Sequence, residues 1–177
     1  ATMEKKMETT IQVVNKPGAG SQVGMTELTA SRPDGHTLCW GSFAGIVIPY
    51  LDPTRQTSYG RKDYKAVSFI AGQPLVLLVG KDSPFKSLKD VVSFAKANPE
   101  KFKIALSGIL LPPHLSVLEL EKQASIKTAT VHFDGEAAAL TSFLGGHMEG
   151  LVCTVSSALS IVKNNQARAL GVMDTAV

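Results

Sequence analysis

The sequence is short of the features that would tie it to a special class. It has two cysteines in 177 residues, Cys39 and Cys153, too few for a disulfide framework. Both lie in apolar stretches and read as buried thiols that behave as small hydrophobes. No apolar run nears the roughly 20 residues that cross a bilayer; the longest are at 75–79 and 45–49. Aromatic residues amount to 6%, and Lys and Arg are scattered apart from Lys5/Lys6 and Lys101/Lys103. A basic stripe interleaved with stacking aromatics is therefore missing, which excludes a nucleic-acid surface. Charge is close to balance, 18 basic against 15 acidic residues. The opening residues Ala1-Thr2-Met3-Glu4-Lys5-Lys6-Met7 contain no apolar leader core, so a leader is absent or already removed and the compartment stays open.

What is present is a core. Hydrophobic residues make up 44%, enough for one ordinary domain or two small lobes. Runs with strand character fall at 11–15, 36–41, 66–72, 75–80, 103–107, 127–133, 150–154 and 167–173. Segments of helical period separate most of them. The clearest follows Ser87-Leu88-Lys89-Asp90, where a serine hydroxyl and an acid three residues on form a capping box. Leu88, Val91, Val92 and Ala95 then share one face, and Asn98-Pro99 stops the helix. Another helix follows Pro112-Pro113, and a third runs from Gly135 to the Gly145-Gly146 stop. Strand–helix–strand repeated in this way predicts an α/β fold with mostly parallel sheets. The runs 66–72 and 75–80 are separated only by Gln73-Pro74, too short for a crossover helix, which suggests a lobe boundary there.

Three chemical readings can be drawn from the motifs. Gly18-Ala19-Gly20-Ser21-Gln22-Val23-Gly24 has the context of a dinucleotide turn, but its third glycine comes one place late and no acid ends the following strand. An α/β nucleotide-binding or enzymatic domain built on that turn is the alternative function. Ser107, His114 and Asp134 could be assembled as a nucleophilic set, although no Gly-x-Ser-x-Gly elbow exists. His36 with Cys39, and His147 with Glu149, are lone pairs without zinc spacing, so no metal and no cofactor is implied. The third reading rests on the polar, glycine-containing segments at strand ends: Gly41-Ser42, Ser107-Gly108, Asp134-Gly135 and Cys153-Thr154. Open α/β sheets bind ligands at that edge, where helix N-termini favour a small carboxylate or phosphate.

These segments resemble the substrate-binding receptors of tripartite tricarboxylate transporters, the Bug-type extracytoplasmic solute receptors. The resemblance is carried by Val13-Val14-Asn15-Lys16-Pro17-Gly18-Ala19-Gly20, Pro33-Asp34-Gly35-His36-Thr37-Leu38 and Ala95-Lys96-Ala97-Asn98-Pro99. It continues through Pro112-Pro113-His114-Leu115, Leu144-Gly145-Gly146-His147 and Ala167-Arg168-Ala169-Leu170. It implies a type II periplasmic-binding-protein fold with lobes at 1–76 and 77–170 and a return crossover starting at 171–177. It also implies a non-enzymatic periplasmic receptor that captures a small carboxylate and hands it to membrane transporter subunits. The implied cleft comprises Gly41 and Ser42 from one lobe facing Ser107, Gly108, Asp134, Gly135, Cys153 and Thr154. Leu110, Leu111 and Cys153 stand where the family commonly has Gly, Ser and Asp, which implies a less polar pocket. Against the family's length the chain resembles a fragment with an incomplete first lobe, and this predicts weakened ligand affinity and an edge-paired homo-oligomer.

Overall fold

The apolar runs from residue 75 onward combine into one five-stranded sheet in the computed structural model, which describes residues 2–173. β1 (Leu75–Gly80), β2 (Lys103–Ser107), β3 (Ala129–Phe133), β4 (Gly150–Thr154) and β5 (Ala167–Met173) lie in the order β3-β2-β4-β1-β5. β2 pairs in parallel with β3 and β4, while β1 runs antiparallel to β4 and β5. Four strands thus point one way and β1 points back.

Alternation along each strand sends side chains to two cores. Val76, Leu78, Ala105, Leu151 and Cys153 face one side, against Ala139, Phe143, Ala158 and Ile161. Leu75, Leu77, Val79, Ile104, Leu106 and Val152 face the other, against Val91 and Val117. The helices supplying those contacts are α4 (Leu88–Ala97) and α5 (Pro112–Ala124) on one face, and α6 (Glu136–Leu144) and α7 (Val155–Lys163) on the other. A sheet covered on both faces explains why its central strands read as unbroken apolar runs. The capping box forms as expected: Asp90 accepts from the Ser87 N–H at 2.8 Å, and the Ser87 hydroxyl accepts from the Asp90 N–H at 3.4 Å.

Strand β3 starts at Ala129, not at the expected 127. The buried Glu121 carboxylate takes the Thr128 N–H at 2.7 Å and its hydroxyl at 2.8 Å, and Lys127 reaches the same carboxylate at 3.3 Å. The Thr128 N–H is thereby spent on the end of α5 and not on the ladder.

The N-terminal region departs most from the sequence pattern. It holds α1 (Thr2–Met7), α2 (Gln22–Ala30) and α3 (Phe43–Leu51), with single 3₁₀ turns at Ala19–Ser21 and Arg61–Asp63. The strands expected at 11–15, 36–41 and 66–72 do not form. Periodicity states which side chains share a face, but a strand exists only when its backbone finds a ladder partner. None is present for these segments among the described residues, and their apolar side chains stay out: Val13 is 83% exposed, Trp40 78% and Phe69 85%. Cys39, expected to be buried, is exposed with its segment, whereas Cys153 is buried. Leu75 and Val76 belong to the sheet, paired with Thr154 and Cys153. Gly171 to Met173 continue β5 against β1 and do not begin a crossover, and residues 174–177 lie outside the described residues.

Glu121 gives the first prediction. Burial alone would raise its pKa, but the two Thr128 bonds and Lys127 outweigh burial and hold it below the ordinary 4.5. A carboxyl depressed by folding contributes stability above its unfolded value, and that contribution is lost as pH falls through the folded value. Glu121→Ala should cost about 1–3 kcal/mol in urea unfolding at pH 7, because two donors lose their acceptor. The gap between variant and parent should narrow as pH drops below 4.5.

Candidate ligand-binding site

Parallel pairing aligns the ends of β2, β3 and β4 at one edge of the sheet. Ser107 lies opposite Phe133, and Ala105 opposite Leu151. The helices that follow, α5, α6 and α7, therefore all begin there. Gly108 turns the chain out of β2 with φ +96°, and a Cβ on it would lie 2.7 Å from Leu111 Cδ1. Leu110 also adopts a left-handed φ of +56°, a conformation that costs a branched side chain about 1–2 kcal/mol. Gly135 leaves β3 with φ +102° and leads into α6.

Two histidines support the 108–111 loop from beneath. His114 Nδ1 accepts the Leu110 N–H at 3.0 Å, so its proton resides on Nε2. His132 Nδ1 lies 3.1 Å from the Gly108 carbonyl and must donate to it. The two rings meet edge to face at 4.5 Å. Burial, and then the neighbouring His132, hold the His114 pKa below the ordinary 6.5. These bonds leave Ser107, His114 and Asp134 unconnected: the Ser107 side chain makes no hydrogen bond among the described residues, and His114 is committed to Leu110. Among the described residues no group of three or more His, Cys, Asp or Glu is placed to hold a metal ion.

At the end of β4 the expected anion site has an occupant. Thr154 caps α7, and its N–H and hydroxyl donate to the Glu136 carboxylate at 3.2 and 3.3 Å; the Ser157 hydroxyl donates to it too. Cys153, expected at the cleft, turns its thiol into the core, where burial and then the Glu136 charge push its pKa up to about 12. It contributes packing. Asp134 is exposed, and neither it nor Gly135 makes a hydrogen bond to the N-terminal region.

Ser42 and the 18–24 turn come together. Ser42 caps α3, accepting the Gly45 N–H at 3.1 Å, with Gly41 exposed beside it. A Cβ on Gly45 would lie 2.5 Å from Ser21 Oγ and 3.0 Å from Ser42 Oγ, so both hydroxyls converge on this bare backbone. The turn then meets the sheet: a Cβ on Gly20 (φ +61°) would be 3.4 Å from Arg55 Nη1 and 4.0 Å from the Ile109 carbonyl oxygen. The N-terminal loops and the loop after β2 thus face each other across Gly20. Arg55 had no sequence signal, since a lone cation after Asp52-Pro53-Thr54 reads only as a turn. No strand precedes the 18–24 turn among the described residues, which removes the βαβ context that the nucleotide alternative requires.

A depression of about 750 Å³ lies at the other end of the sheet, lined by Lys81, Phe85, Phe143, Glu149 and Gln166 among others. α6 and α7 end there, so helix carbonyls face it, a poor setting for an anion.

His114→Phe keeps the ring volume but leaves the Leu110 N–H without its acceptor, and should cost about 1–3 kcal/mol at pH 7.5. Neutral His114 is favoured by the fold, so its contribution is full above 6.5 and is lost as pH falls through the depressed value. Urea unfolding at several pH values from 7.5 downward should show this slope in the parent and a flatter one in the variant.

Known proteins share this fold. MatC from Rhodopseudomonas palustris, solved with bound malate, superposes with a TM-score of 0.84 at 23% identity, covering 98% of this chain and 59% of that one. A second R. palustris protein, solved with adipate, gives 0.87 at 20% identity over 98% and 58%. At such identities the likeness establishes the fold, an α/β chain of the periplasmic-binding-protein type. A UPF0065 protein from the gbd 5′ region of Cupriavidus necator is 29% identical over 147 residues, 80% of this chain and 43% of its own length. A Bordetella pertussis UPF0065 protein is 25% identical over 172 residues, 97% and 53%. The chain spans about half the length of the curated relatives it matches. The model of the tripartite tricarboxylate transporter family receptor matches residues 1–176, and the chain belongs to that family.

Proposed function

We propose that this chain carries the carboxylate-binding cleft of a periplasmic solute receptor, which delivers its ligand to the membrane subunits of a tripartite transporter and performs no chemistry on it. The observation that carries the reading is that the 18–21 turn meets Ser42 at Gly45 and the loop after β2 at Gly20, where a Cβ would lie 4.0 Å from the Ile109 carbonyl oxygen. Relatives solved with malate and adipate support a small carboxylate as the ligand class. No helix of the described residues is long and apolar enough to cross a membrane.

The binding logic is that of a two-sided clamp. Hydroxyls of Ser21, Ser42 and Ser107 and the backbone N–H groups of Ile109 and Leu111 supply donors from opposite sides, the Gly108 and Leu110 N–H groups being bonded to the Leu106 carbonyl and His114. Micromolar affinity requires about 8 kcal/mol net, and hydrogen bonds to a charged group contribute about 1.5–3 kcal/mol each. No single loop reaches that total, so both sides must grip the ligand together. Ile109, Leu110 and Leu111 place aliphatic surface beside the polar groups and favour a ligand with an apolar body.

Thermal melting and calorimetric titration with malate, succinate and adipate test this. At least one should bind and raise the melting temperature in proportion to ligand excess. Adipamide, the neutral diamide, should bind more weakly than adipate. Binding of a nucleotide but of no carboxylate would overturn the reading.

A further inference from the structure

We propose that Arg55 and the Ile109 carbonyl form a donor–acceptor pair selecting a 2-hydroxycarboxylate, with Arg55 Nη2 taking the carboxylate and the Ile109 oxygen taking the hydroxyl. This rests on the carboxylate-receptor reading. The loop segments of the candidate site, 17–22, 41–45, 107–111, 133–136 and 153–157, contain no Lys or Arg but include Asp134 and Glu136. An anion entering there meets acids, and a counter-charge must come from outside these segments. Arg55 is placed to provide it.

The guanidinium is held in position from two directions. Its Nη1 donates to the Ala19 carbonyl at 3.0 Å, and its Nε faces Asp52 Oδ2 at 3.3 Å. Asp52 is fixed in turn, since its other oxygen accepts the Thr54 N–H at 2.9 Å and the Thr54 hydroxyl at 2.6 Å. The side chain is only 20% exposed, yet Nη2 has no partner among the described residues. A long cation mostly buried and fixed at two of its three nitrogens has already lost its rotamer freedom, so binding an anion at the third costs little further ordering.

Nη2 lies 3.9 Å, and the Ile109 oxygen 4.0 Å, from the point where a Cβ on Gly20 would sit. That oxygen accepts no hydrogen bond within the protein among the described residues. A cation and a lone acceptor within 4.0 Å of one point suit a ligand that carries an acidic group and a donor close together. Malate has that pairing; succinate has the acid without the hydroxyl. Gly20 matters because its φ of +61° strains any other residue and a Cβ there would stand against Arg55 Nη1 at 3.4 Å.

Calorimetric titration of the full chain with L-malate and succinate, in the parent and in Arg55→Gln and Arg55→Lys, tests the pair. Circular dichroism and melting curves identify any variant that fails to fold. The parent should prefer malate to succinate by roughly tenfold, and Arg55→Gln should weaken malate by roughly tenfold or more, with Arg55→Lys in between. The ¹⁵N–¹H signals of the Arg55 guanidinium in the parent chain should shift on adding malate, a readout that needs no variant. Equal affinities for malate and succinate overturn the pair, as do unmoved Arg55 signals at saturating malate or an unimpaired Arg55→Gln, while the receptor reading survives. A parent that binds neither these acids nor adipate overturns both.

Discussion

The central strand β4 sets the geometry on which everything else depends. It is bonded to β2 in parallel on one side and to β1 antiparallel on the other, and Gly150 to Cys153 are buried. A Cβ on Gly150 would lie 2.9 Å from Phe102 Cε1, so glycine at this point is what lets the strand pass beneath the aromatic ring. Parallel pairing brings the ends of β2, β3 and β4 to one edge and starts three helices there. Were β2 and β4 antiparallel, their loops would open at opposite ends and no shared site could form. Buried strands with both faces covered also tolerate no slip, since a shift of one residue exchanges the two cores.

The edge so created is glycine-rich for reasons of space and backbone conformation. Gly20, Gly108 and Gly135 take positive φ, and Gly45 lies beneath two serine hydroxyls. Leu110 holds a similar left-handed conformation with a full side chain, supported by the His114 acceptor at its N–H. That histidine links a titratable group to the shape of the loop: one imidazole nitrogen balances the strain of a leucine four residues before it.

The sheet was legible in the sequence because its strands are self-contained patterns. The bounds at 75–80, 103–107, 150–154 and 167–173 follow from apolar runs flanked by Gly, Pro and polar residues, and the capping box at Ser87 is local by nature. The expected strands at 11–15, 36–41 and 66–72 have comparable composition, yet their ladder partners are not among the described residues. Composition alone cannot supply a neighbour. The site divided in the same manner. Ser107–Gly108 was readable as a strand end, whereas Ser42, read as the end of a strand at 36–41 that does not form, is a helix cap; Glu136 and Arg55 act through partners 18 and 36 residues away in sequence, Thr154 and Ala19. No periodicity marks such pairs.

Glu136 shifts the electrostatics of the whole site. Its carboxylate saturates the Thr154 N–H and hydroxyl and the Ser157 hydroxyl, the groups that would have made the start of α7 an anion site. A helix N-terminus contributes about 0.3–1 kcal/mol to an anion at its surface, and up to about 2 when partly buried, and here an internal acid already draws on it. The sheet side of the site is therefore left with the loop before α5 as its source of donors, because α5 opens on Pro112-Pro113, which carry no N–H, and a fixed negative charge lies alongside. A second anion cannot approach such a surface unless positive charge faces it from the other side. In the proposed receptor the pinned guanidinium of Arg55 would meet that requirement, the sheet edge supplying shape and hydrogen bonds and the N-terminal loops the charge.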